Sequence, residues 1–285
     1  MVPEPADVSA VPSEVAPWLA RWALTPDGAA IRTPTSLVQP VRWRGEPAML
    51  KVAMVEEEQR GGQVLACWAG DGAARVMAIE AGALVMERAS GPRSLVAMAQ
   101  GGEDDAASRI LCATAAGLHR QRQPCPAAFP LEPWFADLAP AAAREGGILR
   151  ASHAAATRLL AEPQEPAVLH GDLHHGNVLD FGERGWLVID PKGLYGERGY
   201  DFANIFCNPD AAVALTPGRL ARQADVVAEA AGLERARLLQ WVLAYAGLSA
   251  AWSLEDGDDA MLALEVARLA AAELANQHQI DFSNP

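Results

Sequence analysis

The chain changes its hydrophobic period once, near Arg88-Ala89-Ser90-Gly91-Pro92, and that single switch limits the folds open to it. Before the switch, apolar residues alternate over Ile31 to Val41 and over Arg42 to Val52, the period of half-buried strands, across a turn at Gly45-Glu46-Pro47. The charged stretch Glu56 to Trp68 reads as a helix. Two short apolar runs, Arg75 to Glu80 and Ala83 to Met86, complete a small sheet carrying that one helix. A short helix is expected at Glu14 to Trp22, within an irregular lead reaching Asp27-Gly28, because Val15, Trp18, Leu19 and Trp22 share a face. Beyond the turn-rich break, helical patterns dominate: one follows Asp104-Asp105 to His119, others cover Pro133 to Ala161, Leu233 to Trp252 and Asp259 to Gln277. The expectation is an α+β chain in two domains, 1–88 and 89–285.

One β-like island interrupts the helical part: Val178 to Asp180 and Trp186 to Ile189, joined in hairpin fashion by Gly182-Glu183-Arg184-Gly185. Polar, reactive residues flank it. His170-Gly171-Asp172-Leu173-His174-His175-Gly176-Asn177 leads in, and Ile189-Asp190-Pro191-Lys192-Gly193 leads out. A carboxylate, an Asn five positions later and a second carboxylate beyond a hairpin follow the order used around nucleotide phosphates. The first accepts a hydroxyl proton, while the other two hold magnesium through hard oxygen ligands. Two hairpin strands would bring Asn177 and Asp190 to one end. A competing reading makes His170, Asp172, His174 and His175 a zinc site of hydrolase type, which leaves Asn177 and Asp190 without a role. In the first part, Ala48-Met49-Leu50-Lys51-Val52 puts one lysine in an apolar strand, where it is costly to bury unpaired. The following helix opens with Glu56, Glu57 and Glu58, which either supply a partner or simply favour the helix N-terminus.

These residues resemble the aminoglycoside phosphotransferase family, whose motif has the form His-Gly-Asp-Leu-x-x-x-Asn followed by Ile-Asp. The resemblance extends over nearly the whole chain. It implies a two-lobed, protein-kinase-like fold: a small β-rich N-terminal nucleotide-binding lobe with one key helix, then a larger, mainly helical lobe for catalysis and substrate. It implies Asp172 as catalytic base, Asn177 and Asp190 as Mg2+ ligands and His170 as a brace for the loop. Lys51 would contact the phosphates of ATP or another nucleoside triphosphate, held by Glu58, because Glu58-Gln59-Arg60-Gly61 best resembles the family's Glu-x-x-Gly arrangement. Thr33-Pro34-Thr35-Ser36 stands where protein kinases carry a glycine-rich loop, making Ser36 and its N–H the phosphate contact. Leu84 to Arg88 fits the strand entering the interlobe linker, with Glu87 at the adenine, and Asp201 is a loop anchor.

Within the family, Thr25-Pro26-Asp27-Gly28, Met49 to Val52, Pro130 to Phe135 and Gly247 to Asp259 resemble streptomycin 6-phosphotransferases, the subgroup placed with hydroxyurea resistance kinases. The implied activity is transfer of the ATP γ-phosphoryl to a hydroxyl of a streptomycin-like aminoglycoside, conferring antibiotic resistance. His174 and Glu197 would lie near that acceptor. Glu255, Asp256 and Asp258 belong to a carboxylate cluster that attracts a guanidinium or ammonium group, although Asp258 and Asp259 also read as caps of the last helix. Two alternatives stay open: a kinase of another hydroxylated metabolite, such as a sugar, choline or homoserine, and a pseudokinase sensor that binds nucleotide without transfer.

With 23 basic and 36 acidic residues the net charge is -13, which repels nucleic acid and anionic membrane surfaces and suits a cationic ligand. Acidic surfaces also serve solubility alone. Cys67, Cys112, Cys125 and Cys207 form no close pair in sequence, so reduced, buried thiols are expected. Met1 to Pro5 is acidic and proline-rich, unlike a secretory signal, and charge interrupts every long apolar stretch. A cytoplasmic monomer is the resulting expectation.

Overall fold

The computed structural model describes residues 12–120 and 125–281; the acidic lead Met1 to Pro5 lies outside them. The chain opens with α1 (Ala16–Arg21), β1 (Leu24–Pro26), β2 (Ile31–Arg32), β3 (Ser36–Trp43), β4 (Glu46–Ala53), α2 (Glu56–Cys67), β5 (Val76–Glu80) and β6 (Ala83–Glu87). The strands form one antiparallel sheet in the order β1-β3-β4-β6-β5, with β2 also on β3. Strand alternation divides the side chains between two cores. Leu37, Val41, Ala48, Leu50, Ala83 and Val85 meet Val15 and Leu24 on one face, while Leu84 and Met86 join Val64, Leu65 and Trp68 of α2 and its end on the other. The β3–β4 turn falls at Arg44-Gly45, one position earlier than expected. Both residues have positive φ, 54° and 89°, the signature of a two-residue type I′ hairpin, so Glu46 and Pro47 already belong to β4.

Helices dominate after α3 (Leu95–Gln100) and α4 (Asp104–His119). The stretch Pro133 to Ala161 divides into α5 (Leu131–Trp134), α6 (Leu138–Glu145) and α7 (Gly147–Ala161), the last break set by Gly146 and Gly147 at φ 68° and 51°. Around them, β7 (Phe129–Pro130), β8 (Pro166–Leu169) and β11 (Leu194–Glu197) form a small sheet, while β9 (Val178–Asp180) and β10 (Trp186–Val188) form the expected hairpin. Strands of two to four residues are too short to carry a periodic signal. A 3-10 helix (Arg198–Cys207), α8 (Ala211–Ala214), α9 (Arg219–Ala231), α10 (Arg235–Asp256) and α11 (Met261–Asp281) follow. Trp241 of α10 is fully buried, and Gly247 allows α10 to close on α7: a Cβ there would lie 2.2 Å from Cβ of Ser152. Arg219 grips Asp104 through two nitrogens at 2.8 and 2.9 Å and thereby ties α9 to α4.

The two parts are pinned together. The Ala74 N–H donates to Val188 O, the Val188 N–H donates to Gly72 O, and Glu87 pairs with Arg184 of the β9–β10 hairpin turn. A disulfide joins Cys67 at the end of α2 to Cys125, which corrects the expectation of four thiols. The pair lies 58 residues apart in sequence, and only the packing of α2 against the segment before β7 brings it together. Cys112 and Cys207 are free thiols, and burial pushes both up to about 12. Among the described residues no helix is long and apolar enough to cross a membrane.

Candidate active site

The loop from His170 to Asn177 connects β8 to β9 and is fastened at its start by Asp201. Its carboxylate accepts the N–H groups of His170 and Gly171 at 2.9 and 2.7 Å and pairs with His119 Nε2 at 2.8 Å. Burial opposes ionisation of Asp201, but His119 and these backbone donors hold its carboxyl below the usual range. His170 Nδ1 accepts the Asp172 N–H at 3.2 Å, so Nε2 carries the proton and donates to Ile189 O at 2.8 Å. His170 is thus a neutral brace between the loop and the strand end that leads into Asp190. With both ring nitrogens occupied it cannot ligate zinc, and no cluster of three or more His, Cys, Asp or Glu suited to a metal occurs among the described residues.

Asn177 and Asp190 meet as hairpin geometry requires, because the Ile189 N–H donates to Asn177 O at 2.9 Å just beyond the Val178–Val188 pair. The Asn177 amide nitrogen donates to Asp172 O at 2.9 Å and to Asp172 Oδ2 at 3.2 Å, which leaves its oxygen available. That amide oxygen and the Asp190 carboxylate are hard donors from adjacent strand ends, a fitting pair for a Mg2+ ion. Asp190 adopts φ 58°, a left-handed conformation uncommon for any residue with a Cβ and concentrated at functional sites. His174 lies beside the same carboxylate, with Nε2 3.8 Å from Asp172 Oδ2; burial lowers its pKa and keeps the ring neutral. His175 turns away and is buried, and burial pushes it down to about 4.

Lys51 bridges Glu58 and Asp190, and so connects the β4 strand, helix α2 and the segment that follows β10. Glu58 is 4% exposed and bonded by three segments: Lys51, Lys192 Nζ at 3.0 Å and the Thr35 hydroxyl at 3.0 Å. Burial favours its protonated form, but Lys51 and Lys192 outweigh that and hold the carboxyl at about 2. The glycine of Glu58-x-x-Gly61 has a steric reason. A Cβ on Gly61 would lie 1.9 Å from Pro191 O, so only glycine lets α2 settle on the loop after Asp190. Lys192 was not assigned a role from sequence, yet it reaches Glu57 at 2.9 Å and Glu58 at 3.0 Å and fixes the same contact from the other side.

Three expected site residues stand differently. The Ser36 N–H donates to Thr33 Oγ1 at 2.9 Å, and its buried hydroxyl contacts Thr33 Oγ1, so neither is presented to a phosphate; the neighbouring Thr35 hydroxyl is the group tied into the site. The Glu87 N–H donates to Arg75 O and its carboxylate binds Arg184 and the Arg75 N–H, which makes it a tie between the sheet and the β9–β10 hairpin. Glu197 is 2% exposed and accepts from Arg237, Trp241 Nε1 and the Gln164 N–H, inside the helical part and away from any acceptor. Asp259 Oδ1 accepts the Met261 N–H at 2.8 Å and caps α11. Glu255, Asp256 and Asp258 are exposed at the end of α10. Among the described residues they have no direct bond to Asp172; the route inward runs from Trp252, ring to ring with Trp134 at 5.5 Å, to the Tyr200 hydroxyl that accepts from Trp134 Nε1 at 2.9 Å. Sequence reading also missed Asn204, whose amide donates to Asp172 Oδ1 at 2.8 Å.

A family model described as aminoglycoside/hydroxyurea antibiotic resistance kinase matches residues 21–257. The chain is 51% identical over 243 residues to a streptomycin 3''-kinase of Klebsiella pneumoniae, covering 83% of this chain and 91% of that protein. It is 31% identical to a streptomycin 6-kinase of Streptomyces griseus, covering 93% of this chain and 89% of the relative. Its fold is similar, at a TM-score of 0.64 and 15% identity over 90% of this chain and 97% of the other, to an aminoglycoside phosphotransferase in ternary complex with ADP and hygromycin B. That likeness shows the two-lobed, protein-kinase-like architecture expected from the sequence.

Proposed function

Because the chain belongs to the aminoglycoside/hydroxyurea antibiotic resistance kinase family, we propose that it moves the γ-phosphoryl of Mg-ATP to a hydroxyl of streptomycin, the 3''-hydroxyl in particular. The 51% identity to a relative named for the 3'' position, against 31% to one named for the 6 position, supports that choice of hydroxyl. The observation that carries the reaction class is the convergence of Asp172, Asn177, Asp190, Lys51 and Glu58 from four chain segments.

Asp172 takes the acceptor's proton as the oxygen attacks, and its side chain, 31% exposed, is open to a substrate. Asn177, through its amide oxygen, and Asp190 would hold magnesium, which would supply positive charge against the transferring phosphoryl group. Lys51 leaves Asp190 for the nucleotide phosphates while Glu58 retains its hold. Lys192 keeps Glu58 and α2 in place during that exchange. The exposed acids at the end of α10 draw the guanidinium groups of streptomycin toward the helical part, in keeping with the net charge of -13. Such a reaction belongs where ATP and the drug meet, the cytoplasm, and a monomer suffices for it.

The test is an acceptor competition with purified protein and Mg-ATP, containing streptomycin, hydroxyurea, choline and a fructosamine, read by mass spectrometry. Streptomycin is expected to gain one phosphoryl group, which phosphorus–proton correlation NMR places at 3''. Preferential phosphorylation of choline or a sugar derivative would overturn the acceptor. ATP binding with no transfer to any of them would revive the sensor alternative.

A further inference from the structure

We propose that Asn204, oriented by Asn208, is a positioning residue for the Asp172 carboxylate; this rests on Asp172 being the base. Asn204 Nδ2 donates to Asp172 Oδ1 at 2.8 Å, and Asn204 Oδ1 accepts from Asn208 Nδ2 at 2.8 Å. The sense of each amide follows from its ends. A carboxylate only accepts, so the nitrogen of Asn204 must face Asp172 and its oxygen must face away, toward a donor. Asn208 Nδ2 also donates to the Asn204 carbonyl at 2.9 Å, and a carbonyl too can only accept, so the Asn208 nitrogen is fixed independently. The two constraints agree. A flip of Asn204 would set oxygen against oxygen at Asp172 and nitrogen against nitrogen at Asn208.

The location makes the contact more than incidental. Asn204 is 5% exposed and lies in the 3-10 helix Arg198–Cys207, three residues after Asp201. Residues three apart in such a helix share a face. Asp201 holds the backbone of His170 and Gly171 at the start of the catalytic loop, and Asn204 holds the side chain of Asp172 one residue later. A single buried segment thus sets both the backbone and the rotamer of the base. Anchoring one carboxylate oxygen leaves the other, Oδ2, which has the longer 3.2 Å bond from Asn177 and His174 Nε2 at 3.8 Å, to receive the proton. Without Asn204 this partly exposed side chain samples other rotamers, and a misplaced base slows transfer without weakening substrate binding.

The experiment uses the full chain with Asn204→Leu, which keeps volume but removes the donor, Asn208→Ala and the double variant. Steady-state rates and calorimetric binding of Mg-ADP are measured for each. Asn204→Leu is expected to lower kcat about 10- to 100-fold with KM and ADP affinity within about twofold. Asn208→Ala should lower kcat less, and should add nothing in the Asn204→Leu background, because it acts through the same bond. An unchanged kcat, a parallel loss of ADP affinity, or additive effects would overturn the proposal. The assigned side-chain NH2 resonances of Asn204, compared between wild type and Asp172→Ala, read the contact even if the Leu variant fails to fold. They should move; unmoved resonances refute the bond. Neither the NMR readout nor rates of Mg-ATP hydrolysis depend on the acceptor, so a wild-type protein that leaves streptomycin untouched defeats the proposed acceptor without deciding this inference.

Discussion

The phosphate side and the acceptor side of this molecule are built differently. On the proposed phosphate side, each charged group is held by at least two partners: Lys51 by Glu58 and Asp190, Glu58 by Lys51, Lys192 and Thr35, and Asp172 by Asn177 and Asn204. On the proposed acceptor side, Glu255, Asp256 and Asp258 stand exposed at a helix end, beyond the aromatic pair Trp252 and Trp134. Fixed positions suit phosphoryl transfer, where positioning and electrostatics supply nearly all the rate. Exposed acids on a helix end suit capture of a multiply charged ligand and tolerate change, so substitutions on the two sides should have unequal consequences.

The largest effect belongs to Asp190→Asn, which removes the only carboxylate of the proposed metal pair. We expect kcat to fall by about 10³-fold or more and the Mg2+ concentration for half-maximal rate to rise, both read from a metal titration. Lys51→Met comes next, with a loss of about 10²- to 10³-fold in kcat/KM and weaker ATP binding by calorimetry, because Glu58 and Asp190 are then left without their shared cation. Glu197→Gln separates structure from function. Its buried carboxylate pairs with Arg237, so melting should show a stability loss of about 3 kcal/mol, with acceptor KM unchanged in the protein that remains folded. A large change in acceptor KM would return Glu197 to the substrate site. The smallest effects should come from Glu255→Gln, Asp256→Asn and Asp258→Asn, each raising streptomycin KM about two- to fivefold, with the differences shrinking at high salt. If any of them instead reduced the rate at saturating streptomycin, the acceptor side would be as tightly built as the phosphate side.

What the sequence disclosed follows the same division. Asp172, Asn177 and Asp190 were legible because a short loop and one hairpin fix their spacing, and Lys51 with Glu58 because a strand and the next helix stand seven residues apart. The N-terminal sheet, most of the long helices and the β9–β10 hairpin were legible by period, whereas the short strands of the β7–β11–β8 sheet and helix α9 were not. Contacts that tertiary packing alone creates were not. Lys192 reaches Glu58 across 134 positions, Asn204 reaches Asp172 across 32, and Cys67 meets Cys125 across 58. Ser36 and Glu197 misled for the complementary reason. Their residue types suit ligand contact, but other partners, Thr33 in the same turn for the first and Arg237 with Trp241 of α10 for the second, already satisfy them. Glu87 sits at the expected strand end, yet Arg184 from the hairpin claims its carboxylate.

The central claim is that Asp172 accepts the proton of the attacking hydroxyl, and it is tested most directly by single-turnover transfer from ATP to streptomycin in wild type and Asp172→Asn. The substitution keeps size but removes the base, and it leaves one oxygen to accept the bonds that Asn177 and Asn204 now give to two. The account predicts a transfer rate lower by about 10³-fold or more with Mg-ADP affinity unchanged. A variant that transferred at the wild-type rate would contradict it.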